Sequence, residues 1–92
     1  MSLLAGDNEG ASFITNCKFT VKNASAETTI YLVSRVTGVT SGNANTDNRV
    51  VMTNVQVTTN GGTFKAIYDQ TNTCDMTTGG TTTINKTFEP LV

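Results

Sequence analysis

Alternation of apolar and polar positions predicts five β-strands in this chain. The clearest alternation runs through residues 12–22, where polar side chains separate a row of apolar ones. A period of two residues is the pattern of a strand with one buried face. That row consists of Phe13, Cys17, Phe19 and Val21. The other predicted strands cover residues 28–37, 49–58, 63–70 and 81–88.

The predicted strands differ in how their faces are composed. The strand over residues 28–37 has apolar residues on both faces, so we expect it to be central or covered on both sides. One of its faces carries Ile30, Leu32 and Val36, and the other carries Tyr31, Val33 and Arg35. In the strand over residues 49–58, alternation places Val51, Thr53, Val55 and Val57 together. In the last strand, Ile84, Lys86 and Phe88 share a face, and Tyr68 is predicted to join Phe64 and Ala66 in the core.

Turn-forming residues separate these strands. Residues 59–62 read Thr-Asn-Gly-Gly, which predicts a type I′ hairpin turn between the third and fourth strands. Longer polar loops are predicted over residues 38–48 and 70–80. The segments 58–63 and 77–81 resemble each other, but any Thr-rich turn has this composition, and we do not interpret them as a repeat.

The predicted fold class is therefore all-β, as a small antiparallel β-sandwich or barrel of about five to seven strands. Residues 1–92 fit a single β domain, because the chain is too short for two cores of ordinary size. Residues 1–11 show no convincing alternation and are predicted to be irregular or vector-derived.

Composition supports a strand-rich, turn-rich protein. Apolar residues make up 37% of the chain and charged residues 14%, against averages of roughly 45–50% and 25%. Small polar residues fill the difference, with nineteen Thr and ten Asn. The β-branched Thr favours strands, whereas Asn favours turns.

Charge and residue types argue against several functions. The net charge is −1 and the six basic residues are scattered, which disfavours nucleic-acid binding. No apolar run approaches the roughly 20 residues of a membrane-spanning helix, and no signal-peptide pattern is present. The chain has no His, the commonest general base and metal ligand, so we predict that it is not an enzyme.

The two polar loops hold the candidate ligand-binding residues. Oxygen-bearing side chains alternate in residues 43–48, as in calcium-binding loops, although the segment lacks the Gly and the Glu of an EF-hand. These oxygens would suit calcium, at Asp47, Asp69 and Asp75, but the main expectation is that the protein has no cofactor. The alternative is that Asn and Asp bond to their own backbone in turns. The full candidate set is Asn43, Asn45, Asp47, Asn48, Asp69, Asn72 and Asp75.

The two cysteines, Cys17 and Cys74, raise the question of a disulfide. A pair in a Thr- and Asn-rich chain favours a disulfide, and with it an extracellular, cell-surface or virion location. The alternative is that Cys17 is a small buried apolar residue and Cys74 a loop thiol.

Three hypotheses of function follow. The leading one is a structural or interaction module of a surface, secreted or virion assembly that acts through protein–protein contacts and self-association. The second is a lectin-like module that binds carbohydrate or another small ligand through loops 38–48 and 70–80, with Tyr31 or Tyr68 as a stacking face. The third is a small secreted toxin, effector or inhibitor.

Overall fold

The computed structural model describes residues 1–38, 48–70 and 74–90, and all its regular secondary structure is β-strand. The all-β prediction is therefore confirmed. None of the described residues forms a helix that is long and apolar enough to cross a membrane. The seven strands are β1 (Ser2–Asn8), β2 (Ala11–Thr15), β3 (Lys18–Val21), β4 (Thr29–Val36), β5 (Arg49–Thr59), β6 (Thr63–Ile67) and β7 (Gly80–Phe88).

The strands form two sheets, and most of their pairs are parallel. Sheet A has the order β1-β4-β6, and both of its pairs are parallel. In sheet B, β5 is central: β2 and β3 lie parallel to it along one edge, and β7 lies antiparallel along the other. The predicted antiparallel sandwich or barrel is therefore wrong. Alternating apolar residues indicate a half-buried strand, but they do not indicate whether the neighbouring strands run parallel or antiparallel to it.

The parallel pairing arises because the chain winds. It passes from β1 in sheet A to β2 and β3 in sheet B, returns to sheet A as β4, and crosses again as β5. We call β1–β3 the first coil and β4–β5 the second coil. Each new strand is laid beside the corresponding strand of the previous coil and runs the same way, as in solenoid proteins.

The Asn60–Gly62 turn is a corner of this winding and not a hairpin. It joins β5 in sheet B to β6 in sheet A, and these two strands do not pair. The positive φ of this turn, 77°, belongs to Gly62. A Cβ at Gly62 would lie 2.7 Å from the carbonyl oxygen of Thr28, so the close stacking of successive corners requires glycine here.

The corners of successive coils touch. A Cβ added to Gly79, which has a φ of 81°, would lie 2.6 Å from the backbone nitrogen of Gly61. The segments 58–63 and 77–81 therefore contain glycines that stack on one another. Their similarity in sequence therefore corresponds to neighbouring corners of the winding.

Two asparagines in left-handed conformation change which side chains face the core. Asn16 (φ 54°) separates β2 from β3, and Asn54 (φ 52°) lies in the middle of β5. An extra residue in a strand reverses the inward and outward alternation beyond it. Val50 and Met52 face the core before Asn54, and Val55 and Val57 face it afterwards. The single face predicted for Val51, Thr53, Val55 and Val57 is therefore wrong.

The winding ends in a reversal. After β6 the chain doubles back, and Met76 pairs antiparallel with Phe64 through backbone hydrogen bonds of 2.7 and 2.9 Å. It then enters sheet B as β7, antiparallel to β5. No further parallel coil is built on this side of the described structure.

The start of the chain is ordered in a way that the sequence did not suggest. Residues 1–11 were predicted to be irregular, yet β1 occupies Ser2–Asn8 and pairs with β4. Polar residues interrupt the apolar positions of β1, so its alternation is weak in the sequence. β4 is central in sheet A, as its two apolar faces predicted. Pairing with β4 holds residues 2–8 as a strand, which their own strand preference does not do.

Candidate interaction surface

One end of the two-sheet structure consists of unpaired strand edges. β1 lies at the edge of sheet A, and β2 with β3 lies at the edge of sheet B on the same side. We call these outer edges the first-coil rim. Within residues 1–38, 48–70 and 74–90, no strand pairs with the rim. Its outward-pointing N–H and C=O groups are thus available to another strand.

The apolar interior is less covered at the rim than at the opposite end. Interior-facing residues of the first coil are only half-buried, although they pack against the core: Leu3, Ile14, Phe19 and Val21. Their counterparts at the far end are almost fully buried: Phe64, Ala66, Ile84 and Phe88. The reversal of the chain after β6 accompanies this covered end, whereas the rim leaves part of the core exposed.

Exposed apolar side chains also lie on the rim strands. Phe13 is 65% exposed on β2, and Leu4 is 45% exposed on β1. The prediction that Phe13 shares a face with Phe19 is wrong, because the left-handed residue Asn16 between them shifts the alternation. The Arg49 guanidinium lies 5.7 Å from the centre of the Phe13 ring, which is a cation–π distance.

The two corners of the first coil differ in charge. The corner between β1 and β2 carries the exposed residues Asp7 and Glu9, and Asp7 forms an exposed ion pair of 3.6 Å with Arg35 in the second coil. Asn48 fixes this corner, since its Oδ1 accepts a hydrogen bond of 2.6 Å from the Gly10 backbone nitrogen. We call it the acidic corner.

The opposite corner of the first coil is basic. Lys22 follows the last residue of β3, and its side chain is exposed. The Ala24 backbone nitrogen donates a hydrogen bond of 3.0 Å to Oδ1 of Asn60, which ties this corner to the next one. Glu27 comes later in the same turn, towards β4 and the second coil. We call the segment around Lys22 the basic corner.

Three asparagines form a row across sheet B, at the interruption between β2 and β3. The Asn54 Nδ2 donates a hydrogen bond of 2.9 Å to the Asn16 Oδ1. The Asn54 backbone nitrogen donates one of 2.8 Å to the Asn85 Oδ1. The row connects all three lines of strands in the sheet, so it holds the first coil in register with the rest of the molecule.

Three of the seven predicted ligand-binding residues lie in the described structure: Asn48, Asp69 and Asp75. Asn43, Asn45, Asp47 and Asn72 lie outside the described residues. Asn48 is buried, and its Oδ1 accepts a hydrogen bond from the distant Gly10 backbone and not from its own turn. Asp69 is exposed in the turn after β6, and Asp75 is half-buried beside Met76. The described ranges contain no group of three or more His, Cys, Asp or Glu residues placed to hold a metal ion.

Cys17 and Cys74 are not bonded to each other in the structure, so the disulfide between them stays a prediction. Cys17 lies on the rim, where its carbonyl accepts a hydrogen bond of 2.9 Å from the Gln56 nitrogen. Cys74 lies next to the segment that pairs with β6, at the far edge of sheet A. Disulfide geometry requires Cα atoms within about 7 Å, which this arrangement of opposite edges does not favour.

Tyr68 is a surface residue, so its predicted place in the core is wrong. β6 ends at Ile67, and the Tyr68 side chain is 48% exposed. Its ring lies 4.9 Å from that of Tyr31, at an angle of 45°. The two rings form an aromatic patch on the surface.

The rim could have been found from one signal in the sequence. The tripeptide Ile-Thr-Asn at residues 14–16 and Met-Thr-Asn at residues 52–54 are 38 positions apart, which is the register of β2 and β3 on β5. Recognised as neighbouring coils, these segments would have made β2 and β3 the outer strands of a parallel sheet.

Comparison of the chain with protein families, curated proteins and solved structures finds no match.

Proposed function

We propose that this protein is a non-enzymatic structural or interaction module that acts through protein–protein contacts at the first-coil rim. One observation carries the proposal: the interior side chains of the first coil are only partly buried, while those of the far end are fully buried. Open strand edges next to an apolar surface are the usual site at which a strand of another chain adds to a sheet. The module would belong to a larger assembly.

The location of that assembly was predicted as extracellular, cell-surface or virion. Cys17 and Cys74 are not bonded to each other in the structure, so it adds no support to the argument from a disulfide. What remains in its favour is the richness in Thr and Asn.

Solution mass measured by light scattering after size exclusion tests the role of the rim. We expect the wild-type mass to exceed that of the monomer and to rise with protein concentration. The double variant Leu4→Lys/Phe13→Lys adds charge to the rim strands at exposed positions and should remain monomeric.

A matched control adds the same charge at the far end. Thr83→Lys/Thr87→Lys changes two exposed residues of β7 and should associate like the wild type. A monomeric wild type at every concentration would overturn the proposal. Association that the β7 variant abolishes, or that the rim variant leaves intact, would exclude the rim as the contact surface.

We propose carbohydrate binding as the second candidate, since the Tyr31–Tyr68 pair offers an exposed aromatic face. Aromatic rings stack on the apolar faces of sugars while their hydroxyls remain in water. A glycan array followed by a titration of Tyr68→Ala tests it. Binding that this exposed substitution removes without unfolding the protein would support the candidate, and an array without a hit would reject it.

A further inference from the structure

We infer that the partner of the first-coil rim is a second copy of this chain, placed by a two-fold axis perpendicular to the sheets. The inference rests on the proposed function and adds the identity and orientation of the partner. In the resulting dimer, β1 pairs antiparallel with the partner's β1, and the line of β2 and β3 pairs with the same line of the partner.

The charges of the rim select this orientation. A two-fold rotation about an axis perpendicular to the sheets reverses the strand direction, so each end of the rim meets the opposite end of the other copy. The acidic corner, with Asp7 and Glu9, then faces the basic corner, with Lys22. The contact occurs twice in the dimer, once at each end of the rim.

The other arrangements of two copies lack this complementarity. A two-fold axis along the strands would place each corner opposite the same corner of the other copy. Glu9 of each copy would then lie towards Glu9 of the other, which is repulsive. Head-to-tail stacking would bring the rim to the far end, where Ile84 and Phe88 are already buried and offer no apolar surface in return.

Apolar surface and backbone groups complete the interface. The half-buried side chains of Leu3, Ile14, Phe19 and Val21 from both copies would close a common core. Antiparallel pairing satisfies the open backbone groups on both edges, and it extends sheet A from three strands to six across the two copies. The rim thereby loses the exposure that distinguishes it from the far end.

A charge swap tests the orientation. Glu9 and Lys22 are exposed and make no ion pair within the described residues, so reversing them leaves the fold of one copy intact. Glu9→Lys or Lys22→Glu alone should weaken the dimer on the order of tenfold at low salt, because each turns two attractive contacts into repulsive ones. The double variant should return to within about threefold of the wild type, because its corners are again opposite in sign.

The outcomes separate this inference from the proposed function. A dimer that is weakened by each single reversal and restored by the double variant supports the two-fold arrangement. Association that depends on the rim but is unchanged by the charge reversals overturns this inference while the proposed function stands. So does a mass above that of a dimer. A wild type that is monomeric throughout overturns both.

A thiol cross-link gives a second, independent measurement. Cys17 lies near the middle of the line formed by β2 and β3, so the axis places it close to Cys17 of the other copy. A short bismaleimide should cross-link the wild type and Cys74→Ser into dimers, but not Cys17→Ser. Cross-linking through Cys74, or none in a sample that is dimeric, would contradict the arrangement.

Discussion

Asn54 and Asn16 share a left-handed backbone conformation and are joined by a side-chain hydrogen bond of 2.9 Å. The two residues are paired across neighbouring strands, so both coils switch their inward face at the same level. Had only one strand carried the extra residue, the apolar rows of β2–β3 and β5 would face opposite sides beyond it. The pair therefore keeps a single core continuous through the interruption.

Substitution of Asn54 should separate the role of its side chain from that of its backbone. Asn54→Gly loses the hydrogen bond to Asn16 and should lower the free energy of unfolding by about 1 kcal/mol. Asn54→Ala loses the same bond and also places a Cβ-bearing residue at a φ of 52°, which costs about 1 kcal/mol more. Urea unfolding followed by circular dichroism measures both. Equal losses would mean that the left-handed conformation is not maintained in solution.

Gly79→Ala should destabilise the stacked corners. The new Cβ would lie 2.6 Å from the Gly61 nitrogen at a φ of 81°, and steric and backbone strain together should cost about 3 kcal/mol. Gly6→Ala is the matched control, because nothing lies within 4 Å of its added Cβ. We expect the control to stay within about 0.5 kcal/mol of the wild type in the same unfolding measurement. Comparable losses in both variants would contradict the stacking of the corners.

Two isoleucines test the contrast between the covered end and the rim. Ile84 on β7 is fully buried, so Ile84→Ala should cost about 3 kcal/mol. Ile14 on β2 is half-buried, and Ile14→Ala should cost about 1 kcal/mol at protein concentrations where the chain is monomeric. Chemical unfolding of dilute samples gives both values. A larger loss for Ile14 than for Ile84 would show that the rim is covered in the single chain.

The cysteines give a redox prediction. Protein that is unfolded without a reductant should titrate two thiols, and a reductant should not move the midpoint of urea unfolding. A Cys17–Cys74 disulfide would instead contribute about 3–4 kcal/mol by constraining the unfolded chain, and a reductant would remove that contribution. Loss of both thiols from the titration would restore the disulfide predicted from the sequence.

Five strands could be predicted from the sequence because their own side chains specify them. The rows through Ile30 and Leu32, and through Ile84 and Phe88, proved to be buried as their alternation indicated. Strand direction could not be predicted, because it depends on which coil lies alongside. The hairpin at Asn60–Gly62 failed for the same reason: the turn chemistry was recognised, but a corner between sheets uses the same residues.

Local sequence patterns could not predict the first-coil rim. Its strand β1 has little alternation, and β2 shows the wrong face unless the left-handed conformation of Asn16 is known. A row of Asn16, Asn54 and Asn85 forms only after three distant segments have been brought together. The matching tripeptides at 14–16 and 52–54 were the one trace of that arrangement in the chain.

The reversal of the chain after β6 makes the two ends of the protein unlike. A regular parallel coil has open strand edges at both ends. Further copies can therefore be added at either end, and a filament can grow without limit. Here β7 runs antiparallel to β5, and Ile84 and Phe88 are buried, so the far end offers no exposed apolar interior on which a further coil could pack. Under the proposed contact at the rim, we therefore expect association to end at a pair.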